Sequence, residues 1–239
     1  MNAQPKSADD IVGWDVEWLA CDADDHVGLF ITAGGGYAPG EFLRDTDAHE
    51  AAIDAILALP ASTTARFAPE LRPGVVNQWR LVAERGLFAF DSDASGGPYR
   101  LEAAPETPVL ATELPASVAN ALRDLQYGNL HFATLTGISS ESLLRPPFEE
   151  RRFTYVVWFR HRSAPSYAPN HERSFTFVVV TYTYERAEEW GDELVSRYLA
   201  RHPELELARS GVTIAHARTD YHLPSVTYGQ EVSDDHIGW

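Results

Sequence analysis

One stretch of the chain has residue types that bind phosphate in other proteins: T-A-G-G-G-Y-A-P-G-E-F at residues 32–42, directly after an apolar segment. A Gly-x-x-x-x-Gly-Lys-Ser/Thr loop needs a lysine that contacts the phosphates, but the chain's only lysine is Lys6. A dinucleotide-binding loop needs Gly-x-Gly-x-x-Gly running into a helix, and Pro39 takes the place of the third glycine. The stretch therefore predicts a turn with a positive φ among Gly34, Gly35 and Gly36, and no ligand contact.

An acidic run, C-D-A-D-D-H at residues 21–26, has closely spaced carboxylates that invite comparison with a calcium-binding loop. An EF-hand loop needs glycine at its sixth position and glutamate at its twelfth, where this chain has Val27 and Ala33. Residues 16–21 and 27–32 on either side are rich in strand-forming side chains. The run therefore predicts the turn of a β-hairpin, in which aspartate tolerates left-handed backbone.

Candidate nucleophiles and metal ligands are few and lack a recognisable pattern. His216, Asp220 and His222 are close in sequence and could serve a small metal-dependent hydrolase, but no His-Glu-x-x-His motif is present. Cys21 lies within an apolar strand, where a thiol usually packs as an inert side chain. The sequence predicts a protein that is not an enzyme and that needs no cofactor and no metal.

The charge of the chain is acidic and unevenly distributed. Residues 1–150 contain nine Lys and Arg against 23 Asp and Glu, whereas residues 151–239 contain ten against 12. An acidic surface repels nucleic acid and anionic lipid, so neither nucleic acid nor membrane is expected as a partner. A partner with a cationic surface is favoured instead. The carboxylates predicted to bind it lie in two turn-rich segments and are Asp22, Asp24, Asp25, Asp91 and Asp93.

The compartment follows from what the chain lacks. A single cysteine cannot form an internal disulfide, which fits a reducing environment. The first ten residues have no apolar core of a secretory signal, and no apolar run approaches the length of a membrane span. The sequence predicts a cytoplasmic location.

Hydrophobic periodicity predicts an α+β fold of antiparallel sheets and a few packed helices, in two subdomains. The expected elements include helices over residues 47–59 and 115–125, a hairpin over residues 77–90, and strands over 99–103 and 130–136. A β-β-α-β unit is predicted from strands at 153–160 and 175–184, a helix at 186–201 and a strand at 212–215. The predicted organisation is an acidic domain at 1–137, a connection at 138–150 and a second domain at 151–239.

Four segments within residues 14–135 carry a resemblance to known proteins: W-L-A-C-D-A-D-D-H-V-G-L-F-I-T-A-G-G-G, G-L-F-A-F-D, G-G-P-Y-R-L-E-A-A-P-E-T-P and L-P-A-S-V-A-N-A-L. They resemble a group of bacterial immunity proteins that neutralise polymorphic or contact-delivered toxins. The chain departs from the group's pattern at Asp25, where a turn glycine is usual, and residues 151–239 show no resemblance. The resemblance implies a non-catalytic protein that occludes the active site of a cognate toxin. The alternatives are the metal-dependent hydrolase and an adaptor module.

Overall fold

The computed structural model describes residues 4–67, 76–144, 151–162, 173–216 and 225–227. The chain divides into two compact units, Met1–Arg145 and Pro146–Trp239, each with its own sheet. The α+β class predicted from the sequence is confirmed. Among the described residues, no helix has the length and apolar character needed to cross a membrane.

The first unit is built on a seven-stranded sheet. Its strands are β1 (Glu17–Asp22), β2 (Val27–Ile31), β3 (Ala65–Arg66), β4 (Phe88–Asp91), β5 (Tyr99–Pro105), β6 (Gln126–Tyr127) and β7 (Gly137–Ile138). The spatial order is β3-β5-β4-β2-β1-β6, and β7 also pairs with β5. The predicted hairpin of β1 and β2 is present, but the sheet is mixed, because β2 runs parallel to β4 and β1 parallel to β6.

Helices pack against both faces of this sheet. Successive strand residues point to opposite faces, so apolar side chains on both faces have to be covered. The helices are α1 (Ala8–Ile11), α2 (Gly40–Arg44), α3 (Thr46–Leu57), α4 (Gln78–Ala83) and α5 (Ala116–Leu122). Trp18 and Phe30 lie in an aromatic core on one face of the sheet, and Leu19 and Leu29 lie in an aliphatic core on the other. The aliphatic core also contains the apolar sides of α3, α4 and α5, and α2 packs in the aromatic core.

The two predicted helices of this unit are confirmed with shifted ends. Helix α3 begins after Asp45, whose side chain accepts a hydrogen bond from the Ala48 backbone N–H at 3.1 Å. The true N-cap is therefore Asp45, two residues before the position that the sequence indicated. Helix α5 begins after Pro115 and is shorter than predicted, ending at Leu122.

Three predictions for the first unit are wrong. Residues 78–83 form helix α4 rather than a hairpin strand, because the Asn77 side chain caps the Arg80 N–H at 3.0 Å and starts a helix. The strand expected at 130–136 is a turn of 3-10 helix at Phe132–Thr134. Residues 138–144, expected in the connection, belong to this unit, since β7 pairs with β5 and Leu143 is fully buried.

The second unit has the predicted β-β-α-β order with one further strand. Its elements are β8 (Arg151–His161), β9 (Arg173–Thr181), α6 (Tyr184–Arg201), β10 (Leu207–His216) and β11 (Ser225–Thr227), in the sheet order β10-β8-β9-β11. Phe153, Tyr155, Val157 and Phe159 share one buried face of β8, as their alternation predicted, and pack in one core with α6. Thr183 caps α6 by accepting from the Arg186 N–H, which places the helix start two residues earlier than predicted.

Candidate functional site

An acidic cleft of about 430 Å³ opens in the first unit between α3 and the chain that leads into β1. Glu50 and Asp54 lie one helical turn apart on α3 and line one wall, and Asp15 and Glu17 line the cleft from the start of β1. Among the described residues that line the cleft, Lys6 is the one cationic side chain, so the formal charges of the lining sum to −3. None of these five side chains has an ion-pair partner within 4.0 Å among the described residues.

The cleft also has an apolar lining. Ile53 and Leu57 follow Glu50 at three and seven positions along α3, so one helix face presents acidic and apolar side chains together. Phe42 from α2 and Val16 complete the apolar part. A cleft lined in this way suits a ligand that combines an apolar body with a cationic head.

Hydrogen bonds hold the two carboxylates at the start of β1. The Ala33 N–H donates to Asp15 Oδ1 at 2.9 Å, and the Gln78 Nε2 donates to Glu17 Oε2 at 2.6 Å. Burial raises the pKa of Glu17 above its usual value, and the nearby Asp15 and Asp54 carboxylates raise it further. Ionisation of Glu17 therefore costs more free energy in the cleft than in water.

Asp91 extends this acidic region along the sheet. It ends β4 opposite Ile31, and burial followed by the charge of Asp15 raises its pKa to about 6. Asp15 thus raises the pKa of Glu17 and of Asp91. Of the five carboxylates that the sequence predicted to bind a partner, Asp91 is the one tied electrostatically to the cleft.

The other four predicted carboxylates lie elsewhere. Asp22 is buried, and its two oxygens accept the backbone N–H groups of Asp24, His26 and Phe132 at 3.0, 2.9 and 2.7 Å. It is a structural residue, whose side chain has no surface to offer a partner. Asp93 likewise holds its own turn, accepting the N–H of Ser95 at 2.9 Å.

The predicted carboxylates do not form one surface. Asp24 and Asp25 lie in the β1–β2 turn, where Asp24 pairs with His131 at 2.7 Å and Asp25 has φ 64°. Asp91 lies at the opposite end of β2, because the parallel register aligns it with Ile31, and Asp93 follows two residues later. The five residues of β2 separate the two groups by roughly 16 Å.

The glycine run is the turn that the sequence predicted. Gly34 has φ +84° and the preceding Ala33 has φ +47°, both in the left-handed region. A Cβ on Gly35 would lie 2.4 Å from the carbonyl oxygen of Ala94, so the run packs against the chain after β4. The glycines are explained by this close approach of two backbone segments.

Of the candidate catalytic residues, Cys21 and His216 lie in the part of the chain that the structure describes. Burial raises the pKa of the Cys21 thiol to about 12, with Asp25 and Asp22 adding to the effect, so this thiol is a poor nucleophile. The His216 ring packs on Phe153 at 4.7 Å between centroids, and Asp220 and His222 lie outside the described residues.

One described group has the proximity that a metal site requires. Asp22, Asp24 and His26 bring ligand atoms within 4.8 Å of one another. Both oxygens of Asp22 already accept backbone hydrogen bonds, so the group is explained by the turn that it holds together.

Sequence reasoning missed the cleft because it looked for carboxylates in turns. The available signal was the pairing of acidic with apolar side chains on one face of α3, at residues 50, 53, 54 and 57. The contact of Gln78 with the cleft was not predicted, because the sequence analysis assigned the residues of α4 to a strand.

No protein family, curated protein or solved structure matches this chain. The resemblance to immunity proteins therefore stays a prediction.

Proposed function

We propose that this chain is a non-catalytic binding protein of the immunity type, which neutralises a cognate toxin with a cationic surface by occluding its active site. The observation that supports this function best is the acidic cleft, whose four carboxylates have no ion-pair partner among the described residues. Complementary charge steers association and selects against anionic partners such as nucleic acid and lipid. The proposed location of this encounter is the cytoplasm.

The large acidic excess supports the same proposal. The formal net charge of the chain is −16, which raises the rate of encounter with a cationic protein and makes that rate fall with salt. The inert Cys21 fits a protein that works by binding.

The test is co-expression of this chain with the product of a neighbouring toxin gene, followed by measurement of association between the two purified proteins. The proposal expects rescued growth, a complex of fixed stoichiometry and an association rate that drops roughly tenfold or more between low and high salt. Absence of rescue together with absence of a complex would show that the chain is not an immunity protein for that toxin. Rescue by a catalytic amount of this chain would instead indicate an enzyme.

A further inference from the structure

We infer that the acidic cleft receives one long cationic side chain, an arginine or a lysine, from the protein partner. This inference rests on the proposed function and adds which surface is used and which chemical group it recognises. Four observations support it: the placement of the charges, the apolar lining, an exposed tryptophan next to Asp15 in the sequence, and the position of Lys6.

The charges in the cleft suit an extended organic cation better than a metal ion. In the part of the chain that the structure describes, the one group of three His, Cys, Asp or Glu residues with ligand atoms within 4.8 Å is in the β1–β2 turn. No three of the cleft carboxylates converge that closely, so they cannot form the compact oxygen shell of a divalent cation. Two carboxylates from α3 and two from the start of β1 can instead flank a guanidinium or an ammonium group.

The apolar lining can contact the methylene groups of such a side chain. Arginine and lysine bury three or four methylene groups and keep the charged head near polar groups. Ile53 and Leu57 line the cleft on the same helix face as Glu50 and Asp54. A volume of about 430 Å³ accommodates one side chain and its solvent rather than a folded segment.

Trp14 is an exposed aromatic residue that is adjacent in sequence to the cleft residue Asp15. Its side chain is 68% exposed. Tryptophan is enriched among the residues that anchor protein interfaces. An aromatic face also attracts cations, which matches the charge of the cleft.

Substitution of Lys6 should change the affinity for a cation in the opposite direction to substitution of a cleft carboxylate. Its backbone N–H donates to the Leu43 carbonyl at 2.8 Å, so the segment is held beside α2, and its side chain lines the cleft. A resident cation lowers the attraction for an incoming one. Removing this charge should therefore strengthen the binding that the loss of a carboxylate weakens.

The test is a titration of the full-length protein with N-acetyl-L-argininamide, followed by amide NMR shifts. N-acetyl-L-citrullinamide is the matched control, because it has nearly the same shape without the charge. We expect saturable shifts at Asp15, Glu17, Asp54 and Gln78, with a Kd on the order of 1 mM, and binding of the citrulline compound at least about tenfold weaker. Equal binding of the two compounds, or shifts that do not map to the cleft, would overturn the inference.

Matched variants test whether argininamide binding depends on the cleft carboxylates or only on the overall negative charge of the chain. The double substitution Asp15→Asn with Asp54→Asn should weaken argininamide binding about tenfold, and Lys6→Ala should strengthen it about twofold. Asp24→Asn with Asp25→Asn removes the same charge from the β1–β2 turn and should change it less than twofold. An equal effect of the two double variants would refute the cleft as the recognition site.

The same variants distinguish this inference from the proposed function. Loss of about tenfold or more in toxin affinity on Asp15→Asn with Asp54→Asn supports both. Full toxin neutralisation by that double variant would overturn the inference and leave the immunity function standing. Binding of argininamide in the cleft without any toxin neutralisation would keep the cation site and reject the immunity function.

Discussion

Replacement of Asp22 by alanine should destabilise the first unit severely, because one buried carboxylate satisfies three backbone donors. Its oxygens accept the N–H groups of Asp24, His26 and Phe132 at 3.0, 2.9 and 2.7 Å. A buried donor left without a partner costs about 1–3 kcal/mol, and water can reach part of this turn because Ala23 and Asp24 are exposed. We therefore expect the free energy of unfolding to fall by about 3–4 kcal/mol.

Asp22→Asn tests the reasoning more finely than alanine does. Asparagine keeps one oxygen for two of the donors, but its NH2 group would face a third donor, most directly the Phe132 N–H. We expect a loss of about 1–3 kcal/mol, smaller than for alanine. Asp24→Asn, which changes an exposed ion pair with His131 in the same turn, should lower the free energy of unfolding much less than Asp22→Asn does.

Urea unfolding combined with hydrogen-exchange mass spectrometry of the full chain measures these changes and assigns them to a unit. The decrease in protection should fall on peptides of residues 17–31 and 126–138, with peptides of α6 and β8 unchanged. A loss below about 0.5 kcal/mol for Asp22→Ala, or equal losses for Asp22→Asn and Asp24→Asn, would refute the account of Asp22 as the residue that holds this turn.

Three further predictions concern packing and protonation. Gly35→Ala should lower the free energy of unfolding by about 1–3 kcal/mol, because its Cβ would lie 2.4 Å from the Ala94 carbonyl oxygen. Gly128→Ala is the control, since a Cβ at Gly128 would have no heavy atom within 4 Å, and it should not lower the free energy of unfolding. Urea unfolding of the two variants measures the difference. Burial lowers the pKa of His49 to about 4, so the unfolded state takes up the proton first. The free energy of unfolding should fall by up to about 3 kcal/mol as pH drops from roughly 6.5 to 4, and an equal pH slope in His49→Gln would contradict this. Since burial raises the pKa of Asp91 from about 3.8 to about 6, the ionised carboxylate destabilises the fold increasingly as pH rises from about 4 to above 6. Asp91→Asn should therefore raise the free energy of unfolding by about 1 kcal/mol at pH 7.5 and by a smaller amount at pH 5, and an equal gain at the two pH values would contradict this.

Local patterns predicted the parts of the fold in which a single element buries one face. The alternation of Phe153, Tyr155, Val157 and Phe159 predicted β8, and the spacing of apolar residues predicted α3. Helix α4 was missed because it has only six residues and contains valine, a residue common in strands. Its one reliable signal was Asn77 as an N-cap.

The site could not be predicted because its residues are distant in sequence. Glu17 and Gln78 are 61 positions apart and meet only when α4 packs beside the sheet. The role of Asp22 was likewise hidden, since the Phe132 N–H that it accepts is 110 residues away. The sequence located an acidic first unit, and the tertiary structure determined which carboxylates support a turn and which line a cleft.

The raised pKa values around Asp15 indicate how binding free energy would arise. Burial raises the pKa of Glu17 and of Asp91, and the Asp15 carboxylate contributes to both increases. A cation in the cleft would relieve the repulsion between these groups and lower the pKa of Glu17. Affinity for a cationic side chain should therefore weaken as pH falls and these carboxylates become protonated. The repulsion among these carboxylates, which adds to the effect of burial, would thus favour a cationic partner, and this joins the stability of the first unit to its proposed function.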